Sequence, residues 1–435
     1  MNLHRLLQRR AEAGRPVRAG LIGAGKFGSM FLAQVPFTPG LEVPIILDLS
    51  PTRAQVACRA VGWSEERIAA TRYTNDPAEL LGNAAIEVVI EATGDAAAGL
   101  MHAQQAIAAG KHIIMVNVEA DVLAGPLLAQ QAERAGVVYS LAYGDQPALI
   151  VELVDWARAC GFPVLAAGKG TKYLPAYHAS TPETVWGFYG ISPEDARAGG
   201  MNPQMFNSFL DGTKSSIEMA AVANATGLTP PPDGLQFPPC STDDLASVLS
   251  DREGGALHDR GQVEVVSSLR RDGSPVDRDL RWGVYVVFEA PSDYAARCLA
   301  EYGVATDASG RVSALYRPFH LIGLELNVSV LSAVLRGEPT GVPSGFRGDV
   351  VATAKRTLSA GEVLDGEGGA LVWGKLLPAR RSLEIGGLPI GLANRVPLRR
   401  DVREGQCVTW QDVRVDENTP AYRLRREMET RFGGS

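Results

Sequence analysis

The sequence predicts an α/β protein with an N-terminal doubly wound parallel (Rossmann) sheet, an α+β middle domain and a small, mostly β C-terminal domain. Three observations carry that expectation. Apolar runs alternate with helix-like stretches through the first third of the chain, as strands joined by crossover helices do. The first run, Val17 to Ile22, ends in Gly23-Ala-Gly25-Lys26-Phe27-Gly28 and passes straight into a second apolar stretch. After the Gly- and Pro-rich stretch 337–345 the composition changes to short β-like segments joined by turns, at 358–362, 389–393, 396–401 and 405–409. The expected domains are residues 1–160, 161–348 and 349–435.

The elements follow in order. Leu3, Leu6 and Leu7 suit a short helix lying on the first domain. Val17 to Ile22 reads as a buried strand, and the glycines after it fit a strand–turn–helix crossing: Gly23 for the tight turn, Gly25 for close approach of a pyrophosphate, Gly28 for helix packing. The helix N-terminus adds partial positive charge toward phosphates. Val43 to Leu47 is a second strand ending at Asp48, 20 residues after Gly28. An acid there accepts ribose hydroxyls and repels a 2′-phosphate, which favours NAD over NADP, while Arg53 is placed to serve NADP. Ala85 to Ala92 leads to Thr93-Gly94, and Lys111 to Val116 leads to Asn117-Val-Glu119. Both are strand ends that line a cofactor crevice in this architecture. Helices are expected over 97–109, 125–135 and 148–160, and a strand over 137–141.

In the middle of the chain, Val164 to Lys172 reads as a strand and Tyr173 to Gly200 as a loop over a site. One long helix is expected over 205–227, strands over 263–266 and 282–288, and a helix over 321–336. On the long helix Asp211, Lys214 and Glu218 are spaced i, i+3, i+7 and would share a face. A lysine beside a carboxylate can move a proton to or from a hydroxyl oxygen during hydride transfer. Lys169, Lys172, His178, Arg317 and His320 are cationic candidates that would hold an anion if they converge. Glu119 and Asp145 are acids at strand ends that face the crevice or cap helices.

Composition narrows the function. The chain has 435 residues, room for two or three cores. A net charge of −7 argues against nucleic-acid binding. Five scattered cysteines offer neither a disulfide framework nor metal-ligand spacing, so no metal is expected and reduced cytoplasmic thiols are the simplest reading. No apolar run is long enough to span a membrane. An enzyme of this kind is expected to be a symmetric oligomer.

The chain resembles the homoserine-dehydrogenase-like oxidoreductases that carry a C-terminal SAF domain. The resemblance rests on Gly23-x-Gly25-x-x-Gly28, Asn117-Val-Glu-Ala-Asp-Val122, Gly144-Asp145, Ala167-Gly-Lys-Gly170, the stretch from Phe209 to Gly227, Arg317-Pro-Phe-His320, and Pro389-Ile-Gly-Leu-Ala393. One branch, similar to deoxyxylulose-phosphate reductoisomerases, implies a phosphorylated sugar and NADPH. The resemblance implies catalytic roles for Lys214 and Asp211, with Lys169 and Glu119 beside them. It implies a cofactor site of Gly23, Gly25, Lys26, Phe27, Gly28, Asp48, Thr93, Gly94 and Asn117. Asp145, Lys172, His178, Glu218, Arg317 and His320 would then meet a small anionic substrate. Glu119 stands where true homoserine dehydrogenases have a catalytic lysine. The leading reading is an NAD(P)-dependent oxidoreductase of a small anionic hydroxy-carbonyl or sugar-phosphate compound. The alternatives are a homoserine-type enzyme, an isomerase that recycles its NAD, and a dinucleotide-binding protein without turnover, which Glu119 motivates.

Overall fold

A computed structural model describes residues 2–433. The chain divides into two compact units, one of Met1–Val151 with His320–Ser344, the other of Glu152–Phe319 with Gly345–Ser435.

The first unit is built on a six-stranded parallel sheet. Its strands are β1 (Val17–Ile22), β2 (Leu41–Leu47), β3 (Arg72–Thr74), β4 (Val88–Glu91), β5 (His112–Met115) and β6 (Tyr139–Leu141), in the order β3-β2-β1-β4-β5-β6. The order reverses between β1 and β4, the switch point where this architecture opens a crevice at the strands' carboxyl ends. The central strands are buried on both faces, which explains their unbroken apolar runs. The core joins Val17, Leu21, Ile46, Val88 and Ile114 to Phe31 and Leu32 of the helix Lys26–Gln34. Leu326, Val330, Leu331 and Ala333 complete it from the far end of the chain. Residues 320–344 therefore group with the dinucleotide-type sheet, and the helix there is Asn327–Arg336.

Asp121 sits in the helix Val118–Arg134, fully buried. Tyr139 donates to one carboxyl oxygen at 2.8 Å and the other has no hydrogen-bond partner. Burial pushes Asp121 up to about 7, against the pull of that hydrogen bond.

The second unit carries a mixed sheet of β7 (Val164–Thr171), β8 (Gln262–Ser267), β9 (Val284–Glu289) and β10 (Val312–Arg317), ordered β10-β9-β7-β8. β7 runs parallel to β8 and antiparallel to β9. The helix expected over 205–227 is two helices, Pro203–Leu210 and Thr213–Thr226. Gly212 breaks it with φ of +91°, a conformation that L side chains rarely adopt. The second of these helices is buried along almost its whole length.

The C-terminal strands β11 (Gly348–Ala354) and β13 (Val372–Pro378) form one antiparallel pair, and β12 (Val363–Asp365) and β14 (Asn394–Pro397) another. Of the expected β segments, Pro389 to Ala393 is a single 3₁₀ turn instead. Gly405 to Thr409 makes only isolated bridges. The last helix, Pro420–Phe432, is anchored by Arg425, which is fully buried. Its guanidinium forks onto Asp349 at 3.0 and 2.6 Å, reaches Glu429 at 2.7 Å and lies over Phe346.

Two predictions follow from these buried charges. Arg425→Ala strands Asp349 without its partner and is expected to cost about 3–5 kcal/mol in urea unfolding; an unchanged midpoint would refute the anchoring role. Between pH 4 and 7 the folded protein holds a proton on Asp121 that the unfolded chain releases, so stability falls as pH rises through that window. Asp121→Asn is expected to remove part of that fall, on the order of a few kcal/mol. Glu264, also pushed up to about 7 by burial, retains its own share. Equal slopes for the two proteins in urea titrations across the window would count against Asp121.

Candidate active site

The glycine turn has the geometry its spacing requires. Gly23 has φ of +94°, and a Cβ there would lie 2.6 Å from the Ala92 carbonyl oxygen. A Cβ on Gly28 would lie 2.4 Å from the Gly23 carbonyl, so helix and turn touch backbone to backbone. A Cβ on Gly25 would meet nothing within 4 Å. That open side faces outward at the start of the helix Lys26–Gln34, with Lys26 exposed and Phe27 half-buried. Thr93 and Gly94 are exposed at the end of β4. The turn, the helix N-terminus and the free strand end fit a dinucleotide.

Asp48 is more occupied than an acid awaiting a ribose. It is buried at the end of β2 and accepts from the Ala24 N–H at 3.0 Å and the Ser50 N–H at 2.9 Å. Arg53 adds contacts at 2.8 and 3.1 Å to its two oxygens. Burial raises its pKa, but the hydrogen bonds from Ser50, Ala24 and Arg53 win and hold it below the usual carboxylate range. Asp48 therefore pins the glycine turn while Arg53 covers it. The Arg53 side chain is 64% exposed, free enough to swing away.

Asn117 spends its side chain on the fold. Its amide donates to the Asp95 carbonyl at 2.8 Å and its oxygen accepts from the Ala120 N–H at 3.0 Å. Glu119 lies in the first turn of the same helix. Asp145 is buried and accepts from the Gln146 N–H at 2.9 Å.

The second unit gathers a different set. Lys169 on β7 and Glu218 on the helix Thr213–Thr226 form a buried ion pair. Lys214 stands one turn before Glu218 on that helix, half-buried. Asp211 does not share their helix. It closes the preceding one, accepts from the Thr213 N–H at 2.9 Å and pairs with Lys355 at 2.8 Å. Burial raises Asp211 above the usual range even with Lys355 beside it. The expected Asp211–Lys214–Glu218 face is thus corrected: Gly212 breaks the helix and leaves only Lys214 and Glu218 on the same one. Lys355 lies far along the chain from Asp211 with no motif around it, so nothing in the sequence pointed to it.

His178 is also corrected, from cation to neutral packing group. Its Nδ1–H donates to the Asp211 carbonyl at 2.7 Å, Tyr173 donates to its Nε2 at 2.9 Å, and the ring stacks on Trp373. Burial pushes its pKa down to about 4 although the Asp211 carbonyl favours the proton, and Lys355 and Lys375 add to the fall. Of the other expected cations, Lys172 and Arg317 belong with Lys169 to the second unit and His320 to the first. Arg317 lies over the Phe319 ring.

This turn, this strand order and this crevice define a dinucleotide-binding Rossmann fold. Residues 17–119 match the NAD-binding Rossmann fold of the GFO/IDH/MocA oxidoreductase family, and residues 144–326 match the catalytic domain of oxidoreductase DRL. Neither match reaches half of the chain; together they give it an NAD-binding Rossmann domain and a segment similar to an oxidoreductase catalytic domain. No curated protein matches it. Among solved structures it is similar to a 3-ketoreductase from Actinomadura kijaniata in complex with NADP, at 17% identity over 36% of this chain and 50% of that one, TM-score 0.26. It is similar to a myo-inositol dehydrogenase from Lactobacillus casei in complex with NAD(H) and myo-inositol, at 16% identity over 39% of this chain and 50% of that one, TM-score 0.29. A "probable dehydrogenase" from Thermotoga maritima aligns at 15% identity over 75% of this chain and 91% of that one, TM-score 0.38. The chain spans half the length of the first two, and likenesses this distant do not bear on substrate. No helix among the described residues is long and apolar enough to cross a membrane. Among them no group of three or more His, Cys, Asp or Glu could hold a metal ion.

The Asp48–Arg53 arrangement generates a cofactor prediction. Arg53→Ala removes the group that would meet a 2′-phosphate and uncovers the acid that would meet a ribose diol. NADPH affinity is expected to fall about tenfold while NADH binds as well or better. Equal losses for both cofactors in fluorescence titrations would show that Arg53 does not discriminate.

Proposed function

We propose that the enzyme interconverts the hydroxyl and carbonyl forms of a small anionic compound of the sugar-phosphate class, in the manner of a reductoisomerase. The observation that carries this reading is the buried Lys169–Glu218 pair, with Lys214 one helical turn away, inside the segment matched to the DRL catalytic domain. That match favours the reductoisomerase-like reading over the homoserine-type one.

NAD(P)H, when bound on the first unit, supplies a hydride. The chemistry left to the protein is the oxygen. As a carbonyl carbon accepts hydride, its oxygen takes up the π electrons and needs a proton. Glu218 pairs with Lys169 inside the fold and holds its amine in place. Lys169 is then a proton donor in one direction and, after giving it up, an acceptor in the other. Lys214 polarises the same oxygen. Asp211 is a positioning residue, since its carboxylate is committed to Lys355 and the Thr213 N–H.

Turnover on a panel of hydroxy acids, polyols and sugar phosphates, followed at the nicotinamide band and by mass spectrometry of products, tests the reading. Lys214→Ala and Lys169→Met are each expected to lower kcat by about a hundredfold or more while dinucleotide binding is kept. Near-normal kcat in both variants would overturn the assignment.

A further inference from the structure

The sheet of the first unit hides a carboxyl group that stability does not explain. β4 reads Val88-Val-Ile-Glu91, and every one of these residues is buried. One carboxyl oxygen of Glu91 takes all of its contacts. The Thr93 O–H donates to it at 2.5 Å, the Thr93 N–H donates at 3.3 Å, and the His102 Nδ1 lies 3.2 Å away. The other oxygen has no hydrogen-bond partner among the described residues. A buried carboxyl group with an orphaned oxygen costs free energy, and one more apolar residue after Ile90 would bury at less cost. What the acid supplies is order at an exposed place. Thr93 and Gly94 stand at the open end of β4, and Gly94 takes φ of +73°. His102, on the helix Ala96–Ala108, holds the same oxygen from the other side, so Glu91 is gripped between its own strand end and that helix.

The pairing sets the polarity of the Thr93 hydroxyl. A hydroxyl has one proton and two lone pairs. With the proton given to Glu91, only lone pairs are left for a ligand. The Asp95 N–H and the Asn117 amide approach the Thr93 oxygen at 3.4 and 3.5 Å, longer than ordinary hydrogen bonds, so a stronger donor has room. Asn117 cannot take over the task, since its amide is committed to the Asp95 carbonyl and its oxygen to the Ala120 N–H. In a sheet ordered β3-β2-β1-β4-β5-β6, the half made of β1 to β3 receives one nucleotide and the half made of β4 to β6 the other. Asp48, at the end of β2, belongs to the adenosine half. Thr93 belongs to the nicotinamide half, whose ribose carries two hydroxyl donors.

We infer that Glu91 is a positioning residue for the coenzyme: it makes Thr93 an acceptor for a hydroxyl of the nicotinamide ribose. The inference rests on NAD(P)H binding to the first unit, as in the proposed function, and asks nothing of the substrate.

Calorimetric titration of the full chain with NADH, NADPH and ADP tests it, with ADP as the probe that lacks the nicotinamide nucleotide. Thr93→Val removes the hydroxyl at an exposed position with little change of shape. It is expected to weaken the tighter-binding coenzyme about tenfold and to leave ADP within about twofold. Glu91→Ala is expected to do the same, and to add nothing further in the Thr93→Val background. Glu91→Gln keeps an acceptor for the Thr93 O–H and is expected to bind coenzyme nearly as the parent does. Parent-like coenzyme binding by Thr93→Val overturns the role. So do equal losses of ADP and coenzyme in Glu91→Ala, additive losses in the double variant, or a Glu91→Gln as weak as Glu91→Ala. Should Glu91→Ala fail to fold, Thr93→Val and Glu91→Gln decide the question. The substrate reading fails with a different signature: the coenzyme pattern holds, yet no compound of the panel is turned over.

Discussion

The ammonium of Lys355 is the contact on which the second unit's chemistry depends. It donates to the carbonyls of Ser180 and Gly369 at 2.6 and 2.7 Å and forms an ion pair with Asp211 at 2.8 Å. Three segments distant in sequence are tied to one buried point. Asp211 is the hinge between two helices, so fixing it fixes where the helix Thr213–Thr226 begins and which way Glu218 and Lys214 face. The Asp211 carbonyl in turn holds His178, and His178 holds Tyr173 and stacks on Trp373. A buried charge of this kind adds little stability against a well-packed apolar substitute. Its value lies in geometry, because one buried ammonium holds two carbonyls and a carboxylate from three segments around a single point.

The first unit solves a similar problem with one carboxylate. Asp48 takes an N–H from Ala24 inside the glycine turn, so an acid at the end of β2 also shapes that loop. Arg53 neutralises that acid from the exposed side. The pair ties the buried carboxylate to a guanidinium that stands largely in solvent.

The legible parts of the sequence were those set by local pattern. Apolar runs with helix-like spacers fixed the parallel sheet and its crevice, and strand–turn–helix context gave the Gly23 to Gly28 turn its meaning. The break at Gly212 was hidden because helical composition continues on both sides of it, and one glycine costs a helix only about 1 kcal/mol. Lys355 was hidden for another reason. Its partners are brought to it by tertiary crossings, and no spacing rule reaches so far along the chain. His178 was misread because a histidine's charge depends on what encloses it. Lys169 and Glu218 were both singled out, but that they pair with each other was visible only in three dimensions.

The return of the helix Asn327–Arg336 to the first core bears on how the chain acquires its structure. Leu326, Val330 and Leu331 pack with residues as early as Leu3 and Leu7, and the whole of residues 152–319 is made between them. A ribosome releasing this protein from its N-terminus exposes six parallel strands long before the last wall of their core exists. The nucleotide-type sheet must wait, with part of its apolar face uncovered, until the second unit's sheet has been synthesised. Long waits of that sort are when chains associate wrongly.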